Sequence, residues 1–285
     1  MPSGRLPARR FRNRIAASVL AVAAILVSGA PAPVAATGQV APPPTATAAA
    51  APAPVYPIAA RIVARYPHDP AAFTEGLLWH DGALYESIGL QGRSEVRRVR
   101  LEDGTVLARA TLPADQFGEG LALVGDTLVS LTWTTGIGHR WDARTLKRTA
   151  SFRYTGEGWG LAHDGQSLIQ SDGSPVLRFR DSRSFAVRRE LTVTANGRPL
   201  RDVNELEVID GAIFANVWHR PYLVRIDPAN GEVTGLVDLS ALIAEVGATD
   251  PEAVANGIAW DPIKRRLFVT GKLWPTLFEI TLEAE

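Results

Sequence analysis

Phe117-Gly118-Glu119-Gly120-Leu121 decides the fold, because phrases of the same kind recur four times along the chain. They are Phe73-Thr74-Glu75-Gly76-Leu77, Gly158-Trp159-Gly160-Leu161, Asn204-Glu205-Leu206-Glu207 and Asn256-Gly257-Ile258-Ala259-Trp260. With Leu77, Leu121, Leu161, Leu206 and Ile258 equivalent, the spacings are 44, 40, 45 and 52 residues. A period of about 40 to 50 residues built from strands predicts a β-propeller.

Each phrase opens a strand that turns at a Gly- or Asp-containing pair, such as Asp81-Gly82, Asp164-Gly165 or Asp210-Gly211, into a second strand. Asp-Gly between alternating segments is a hairpin signal. Two more strands follow in the first four units. The fifth has three, in Asn256–Trp260, Leu267–Thr270 and Leu277–Leu282, and the β-rich run Ala59–Tyr66 is its missing fourth. The expected fold is therefore all-β, a five-bladed β-propeller closed by an N-terminal strand added to the last blade. Such closure removes exposed strand edges. A β-sandwich of short strands is the alternative, and it does not require the repeat. One or two short helical turns are expected over Ala241–Val246 and Asp250–Val254.

Composition narrows the function classes. The chain has no cysteine, which excludes disulfides, thiolate metal sites and a cysteine nucleophile. Residues 1–36 carry five arginines and no acid, then an apolar run from Ile15 to Val27 and small residues through Val34-Ala35-Ala36. This pattern reads as a signal peptide over 1–36, so an exported protein, periplasmic or secreted, is expected. Residues 37–57 form an Ala/Pro/Thr-rich linker and 58–285 the propeller. Beyond residue 36, twenty-five basic residues stand against thirty acidic ones, which argues against nucleic acid or an anionic membrane surface as partner. A monomer with no membrane partner after signal cleavage is expected. His68, His80, His139, His163 and His219 lack the i,i+4 spacing of a zinc motif and read as turn or surface residues. No Gly-x-Ser-x-Gly or phosphate-binding glycine loop is present.

In a propeller blade the first strand lines the channel and the second runs back beside it. The start of the first and the end of the second therefore share one face. That collects Glu75, Glu119, Trp159, Asn204-Glu205 and Asn256 at one channel mouth, beside Glu86-Ser87, Trp133, Asp172, Trp218 and Lys272. Each opening also has a purely structural reading, with Glu or Asn binding a neighbouring backbone. Trp79, Trp141 and Trp260 read as core between blades; Trp133 and Trp218, at strand ends, read as rim.

The ordered set resembles the glutamine cyclotransferase family of plant and bacterial type. The resemblance runs through Tyr66-Pro67-His68-Asp69, Phe73 to Leu77, Tyr85-Glu86-Ser87, Phe117 to Leu121, Leu131-Thr132-Trp133, Glu157 to Leu161, Asn204 to Glu207, Asn216-Val217-Trp218, Asn256 to Trp260 and Phe268 to Pro275. It implies cyclisation of an N-terminal glutamine of a peptide or protein to pyroglutamate with loss of ammonia, by acid/base chemistry with no cofactor and no metal. Residue by residue, it makes Glu119 the acid/base catalyst and Phe73, Glu75, Trp133, Trp159, Asn204, Trp218 and Lys272 the substrate pocket. Lys272 and Asn204 then suit a developing oxyanion. The family commonly has Gln where this chain has Glu75, which places a second carboxyl near Glu119.

Two other classes stay open on the residues alone. A calcium-dependent lactonase of the six-bladed kind would use hard oxygen ligands, for which Glu75, Glu119, Asp172, Asn204 and Asn256 are candidates. A non-enzymatic exported propeller would bind its ligand through the same face.

Overall fold

A computed structural model describes residues 54–284. The signal peptide and most of the linker expected from the sequence lie outside those residues. The first strand, β1 (Tyr56–Pro67), begins two residues inside the expected linker. Four antiparallel strands then form each of four successive blades. Blade 1 is β2 (Thr74–His80), β3 (Ala83–Ile88), β4 (Glu95–Val99) and β5 (Val106–Thr111). Blade 2 is β6 (Gly118–Val124), β7 (Thr127–Thr132), β8 (Ile137–Asp142) and β9 (Arg148–Arg153). Blade 3 is β10 (Leu161–His163), β11 (Ser167–Gln170), β12 (Val176–Asp181) and β13 (Val187–Thr192), followed by a small hairpin of β14 (Thr194–Ala195) and β15 (Arg198–Pro199). Blade 4 is β16 (Val203–Ile209), β17 (Ala212–Val217), β18 (Tyr222–Ile226) and β19 (Val233–Asp238). After helix α1 (Ser240–Val246), blade 5 is β20 (Ala255–Asp261), β21 (Arg266–Gly271) and β22 (Thr276–Ala284).

The inner strands touch in the cyclic order β2, β6, β10, β16, β20 and back to β2, so the ring closes with five blades. Five apolar clusters fill its five seams. Leu78, Tyr85 and Val96 meet Leu121, Leu128 and Trp141 between blades 1 and 2. Val129 and Leu131 meet Leu161 and Leu168 in the next seam. Ile169 and Leu177 meet Leu206 and Ile213, and Phe214 meets Ile258 and Phe278. Leu77 and Leu84 meet Ala259 and Phe268 to complete the circuit. The propeller core is therefore divided among the seams, which is why each inner strand reads as a nearly continuous buried run.

Strand β1 closes the ring as expected, antiparallel to β22 from Ile58 opposite Ala284 to Pro67 opposite Thr276. It does more than that. Tyr56 to Ala59 also pair in parallel with Gly235 to Asp238 of β19, so one strand joins blades 4 and 5 into a single eight-stranded sheet.

Three sequence expectations need correction. Residues 250–254 form no helix: Asp250 Oδ1 accepts the Glu252 N–H at 2.9 Å and makes a turn. His68 and His139 are buried. His68 lies between the Trp274 carbonyl and Glu86, while His139 lies between Gln116 and Ser151. Glu86 is correspondingly an interior residue of blade 1, held also by Thr74 and Arg97. Although burial pushes its carboxyl up, His68 and Arg97 bring it down to about 2.

Glu205 takes the structural one of the two roles open to an opening carboxylate. It enters the channel, where its two carboxylate oxygens accept the N–H groups of Leu77 at 3.2 Å and Ile258 at 2.9 Å. Burial, with Glu207 nearby, pushes its proton affinity well above the ordinary carboxyl range. Glu205→Leu leaves both backbone donors buried without acceptors, and at about 1–3 kcal/mol each the loss of unfolding free energy should be roughly 2–6 kcal/mol. Urea unfolding of that variant beside Glu205→Gln, which keeps one carbonyl acceptor and should lose less, checks the assignment.

Candidate active site

In the inner strands, ladder pairing slips at one place. The register shifts between Thr74 and Gly76, between Gly118 and Leu121, between Val203 and Leu206, and between Ala255 and Ile258. In blade 3 the regular strand begins only after Trp159-Gly160. Such irregularities re-aim side chains, and here they fall on Glu75, Glu119, Trp159, Asn204 and Asn256.

The result is a cavity of about 240 Å³ at the channel mouth, lined by Phe73, Glu75, Phe117, Glu119, Trp133, Trp159, Asn204, Trp218, Glu252 and Lys272. It is smaller than the roughly 300–1,000 Å³ of drug-sized sites, a volume suited to one amino-acid residue. All eight residues singled out in the sequence border it. Phe117 and Glu252 were not singled out. Phe117 holds the same place in its repeat as Phe73, so the repeat itself was a signal for it; Glu252 comes from the loop after α1, which has no counterpart in the other blades.

The wall is largely aromatic. Phe73 and Phe117 meet edge to face at 6.0 Å, Phe117 and Trp133 at 5.8 Å, and Trp159 and Trp218 at 5.9 Å. These separations lie in the favourable range for aromatic pairs.

The polar floor is built from Glu75, Lys272 and Asn256. Lys272 Nζ donates to Glu75 Oε1 at 2.7 Å and lies 4.5 Å from the centre of the Phe73 ring. Asn256 Nδ2 donates to Glu75 Oε2 at 3.1 Å and to the Thr74 carbonyl at 2.9 Å. Asn256 thus serves the floor from behind. Burial pushes the Glu75 carboxyl up to about 7 against the pull of Lys272, with Glu252 adding to the rise.

Glu119 is buried beside this pair, and no hydrogen bond from a described residue reaches its carboxyl. Burial drives its proton affinity well above the carboxyl range; the Glu75 and Glu157 charges push the same way and Lys272 opposes them. Asn204 Oδ1 is likewise buried with no partner. The cavity therefore presents a carboxyl group and an amide oxygen whose hydrogen bonds remain to be made. Of the oxygen ligands the lactonase alternative needs, Glu75, Glu119 and Asn204 border the cavity, while Asp172 does not. Asp172 is paired with Arg178, Glu75 is occupied by Lys272 and Asn256, and the ring has five blades.

Residues 34–282 match the model of the glutamine cyclotransferase family. The chain belongs to that family. It is 43% identical over 226 residues to a glutaminyl-peptide cyclotransferase of Arabidopsis thaliana, a match that covers 78% of this chain and 71% of the plant protein. It also superposes with a TM-score of 0.78 on the crystal structure of Myxococcus xanthus glutaminyl cyclase, at 41% identity, covering 81% of this chain and 100% of that one. Among features of this cyclotransferase fold, the Glu75–Lys272 pair follows from the carboxyl at position 75, whose second oxygen is the one Asn256 holds.

Proposed function

We infer that this protein cyclises the N-terminal glutamine of peptides or proteins to pyroglutamate and releases ammonia. Beside family membership, the observation that carries the reading is Glu119: a buried carboxyl without a protein partner, in an aromatic cavity the size of one residue. Pyroglutamate formation joins the α-nitrogen to the γ-carbonyl carbon of the same residue. The two groups are already tethered at ring-closing distance, so the catalyst must fold the side chain back and hold it. Aromatic walls enclose the methylenes and keep out the water that would compete for the carbonyl.

Proton movement then falls to Glu119. Its raised proton affinity means that it enters the reaction as an acid. As the amine attacks, a bond forms between the α-nitrogen and the γ-carbon. Glu119 gives its proton to the γ-nitrogen, the old carbon–nitrogen bond breaks, and ammonia leaves. The carboxylate recovers a proton from the ring nitrogen, so one group serves both nitrogens and returns to its starting state. The Asn204 amide and a further N–H of Lys272 are positioned at the cavity to receive the charge that develops on the carbonyl oxygen. Asn204 Oδ1, unpartnered in the protein, suits an N–H of the substrate. The Arg-rich start and the apolar run that follows it support an exported enzyme.

Incubation with Gln-initiated and Asn-initiated peptides tests the activity: the first should lose the mass of one ammonia and the second should not. A binding protein would release none. Glu119→Gln should reduce turnover by about 10²–10⁴-fold with peptide binding retained, as measured by single-turnover kinetics and direct titration. Near-normal turnover would remove Glu119 from its role.

The pH profile separates the two carboxyls. Activity should rise as the substrate amine, ordinarily near pKa ~7.7–8.0, becomes neutral, and fall as Glu119 loses its proton. Glu75→Gln removes a negative charge that raises the Glu119 proton affinity and frees the Lys272 charge that lowers it. Both changes act in one direction, so the alkaline limb should move to lower pH with the acid limb unmoved. An unshifted alkaline limb in that variant would show that Glu75 has no part in proton handling.

A further inference from the structure

The aromatic wall has one gap. Ring contacts run from Phe73 through Phe117 to Trp133, and separately from Trp159 to Trp218, with no ring contact between Trp133 and Trp159 among the described residues. Across that gap lies Glu157. Its Oε2 accepts the indole N–H of Trp133 at 2.8 Å and that of Trp159 at 2.9 Å. One carboxylate oxygen therefore holds two walls of the pocket at a common point.

The indoles need such a tie to different degrees. Trp159 is backed by Gly173, whose missing side chain admits the indole ring. Trp133 is 43% exposed, and an indole so open to water has little packing to choose its rotamer. Glu157 itself is held through its backbone. Gln170 Nε2 donates to its carbonyl at 2.9 Å, and the following Gly158 N–H donates to the Trp133 carbonyl at 2.9 Å. Gly158 packs so tightly that a Cβ there would collide with the Tyr154 hydroxyl and crowd Leu131. The carboxylate thus projects from an anchored backbone, and its charge strengthens both hydrogen bonds.

We propose that Glu157 is a positioning residue that sets the width of the substrate pocket by tying the Trp133 and Trp159 indoles together, and so governs how tightly the glutaminyl residue is enclosed. The proposal rests on the cyclotransferase reading for its kinetic consequence; the tie between the indoles stands apart from it. Glu157 touches no reacting atom. Its removal should loosen the walls while Glu119 keeps its place; because the Glu157 charge raises the Glu119 proton affinity, the alkaline limb should also move to lower pH, and KM and kcat are compared below that limb.

Three proteins test this: the full chain, Glu157→Ala and Glu157→Gln. An amide oxygen has two acceptor sites, so Glu157→Gln keeps both indole bonds without the charge. Glu157→Ala should raise KM for a Gln-initiated peptide about tenfold, the size of one lost charge-assisted hydrogen bond, with kcat changed less than about threefold. Glu157→Gln should restore KM to within about threefold of the unaltered protein. In the absence of peptide, tryptophan emission of Glu157→Ala should differ from that of the other two while the urea midpoint stays the same, which separates indole release from loss of fold. A KM within twofold in Glu157→Ala, or equal impairment of the Gln and Ala variants, would overturn the proposal. If the unaltered chain releases no ammonia, the activity reading fails, yet the emission comparison still decides whether Glu157 holds the two indoles: an unchanged spectrum in Glu157→Ala would sink the tie itself.

Discussion

The architecture depends on how closely five strands can approach one axis. At the position nearest that axis stand Gly76, Gly120, Gly160, Glu205 and Gly257. A side chain on Gly120 would run into the Trp159 carbonyl, and one on Gly160 into the Asn204 carbonyl. Their absence lets adjacent blades bond through the backbone, as in the 2.7 Å contact from the Gly120 N–H to the Trp159 carbonyl. The fifth position turns the same crowding to use. Glu205 extends into the space the glycines leave and satisfies two donors, Leu77 and Ile258, that would otherwise be buried without acceptors.

The site follows from that constraint. One residue before each axial position stands Glu75, Glu119, Trp159, Asn204 or Asn256. Alternation along a strand turns this residue away from its neighbour, and the irregular pairing there turns it toward the mouth. Equivalent positions then take different roles because their surroundings differ. Asn256 binds Glu75 and the Thr74 carbonyl, so it braces the floor. Glu119 meets no such partner and keeps its carboxyl for the cavity.

This explains what was legible in the sequence. The repeat Leu77, Leu121, Leu161, Leu206, Ile258 carries the inter-blade packing, so blade number, strand order and the closing strand could be read from it. The rim tryptophans and the opening carboxylates were legible for the same reason, since a repeat gives them shared geometry. Features that depend on a single blade were not. The parallel contact of β1 with β19 needs the ring already closed. His68 and His139 look like turn residues until Glu86, from β3, and Gln116, from the loop before β6, arrive to bury them. Glu252 lies on a loop found once, and Glu157 acts only when two blades bring Trp133 and Trp159 to it. For Glu205 the structural reading of an opening carboxylate, binding a neighbouring backbone, is the one that holds, and only the packed ring shows that it reaches two blades at once.

The charges in the cavity narrow what can occupy it. Glu75 and Lys272 satisfy each other at 2.7 Å, which leaves Glu119 as the buried acid with no local counter-charge of its own. Ionising it would place a second carboxylate beside Glu75 in a site largely shielded from water, so the protonated form is favoured. A protonated carboxyl is a donor, and Asn204 Oδ1 is an acceptor; the protein satisfies neither. An apolar guest would shut both away from water with neither bond made, at a cost. A carboxamide relieves it, because it brings an acceptor oxygen and N–H donors on one carbon. A free carboxylate brings acceptors only and leaves Asn204 Oδ1 without a donor. The same unpaired groups thus suit an amide better than the corresponding acid.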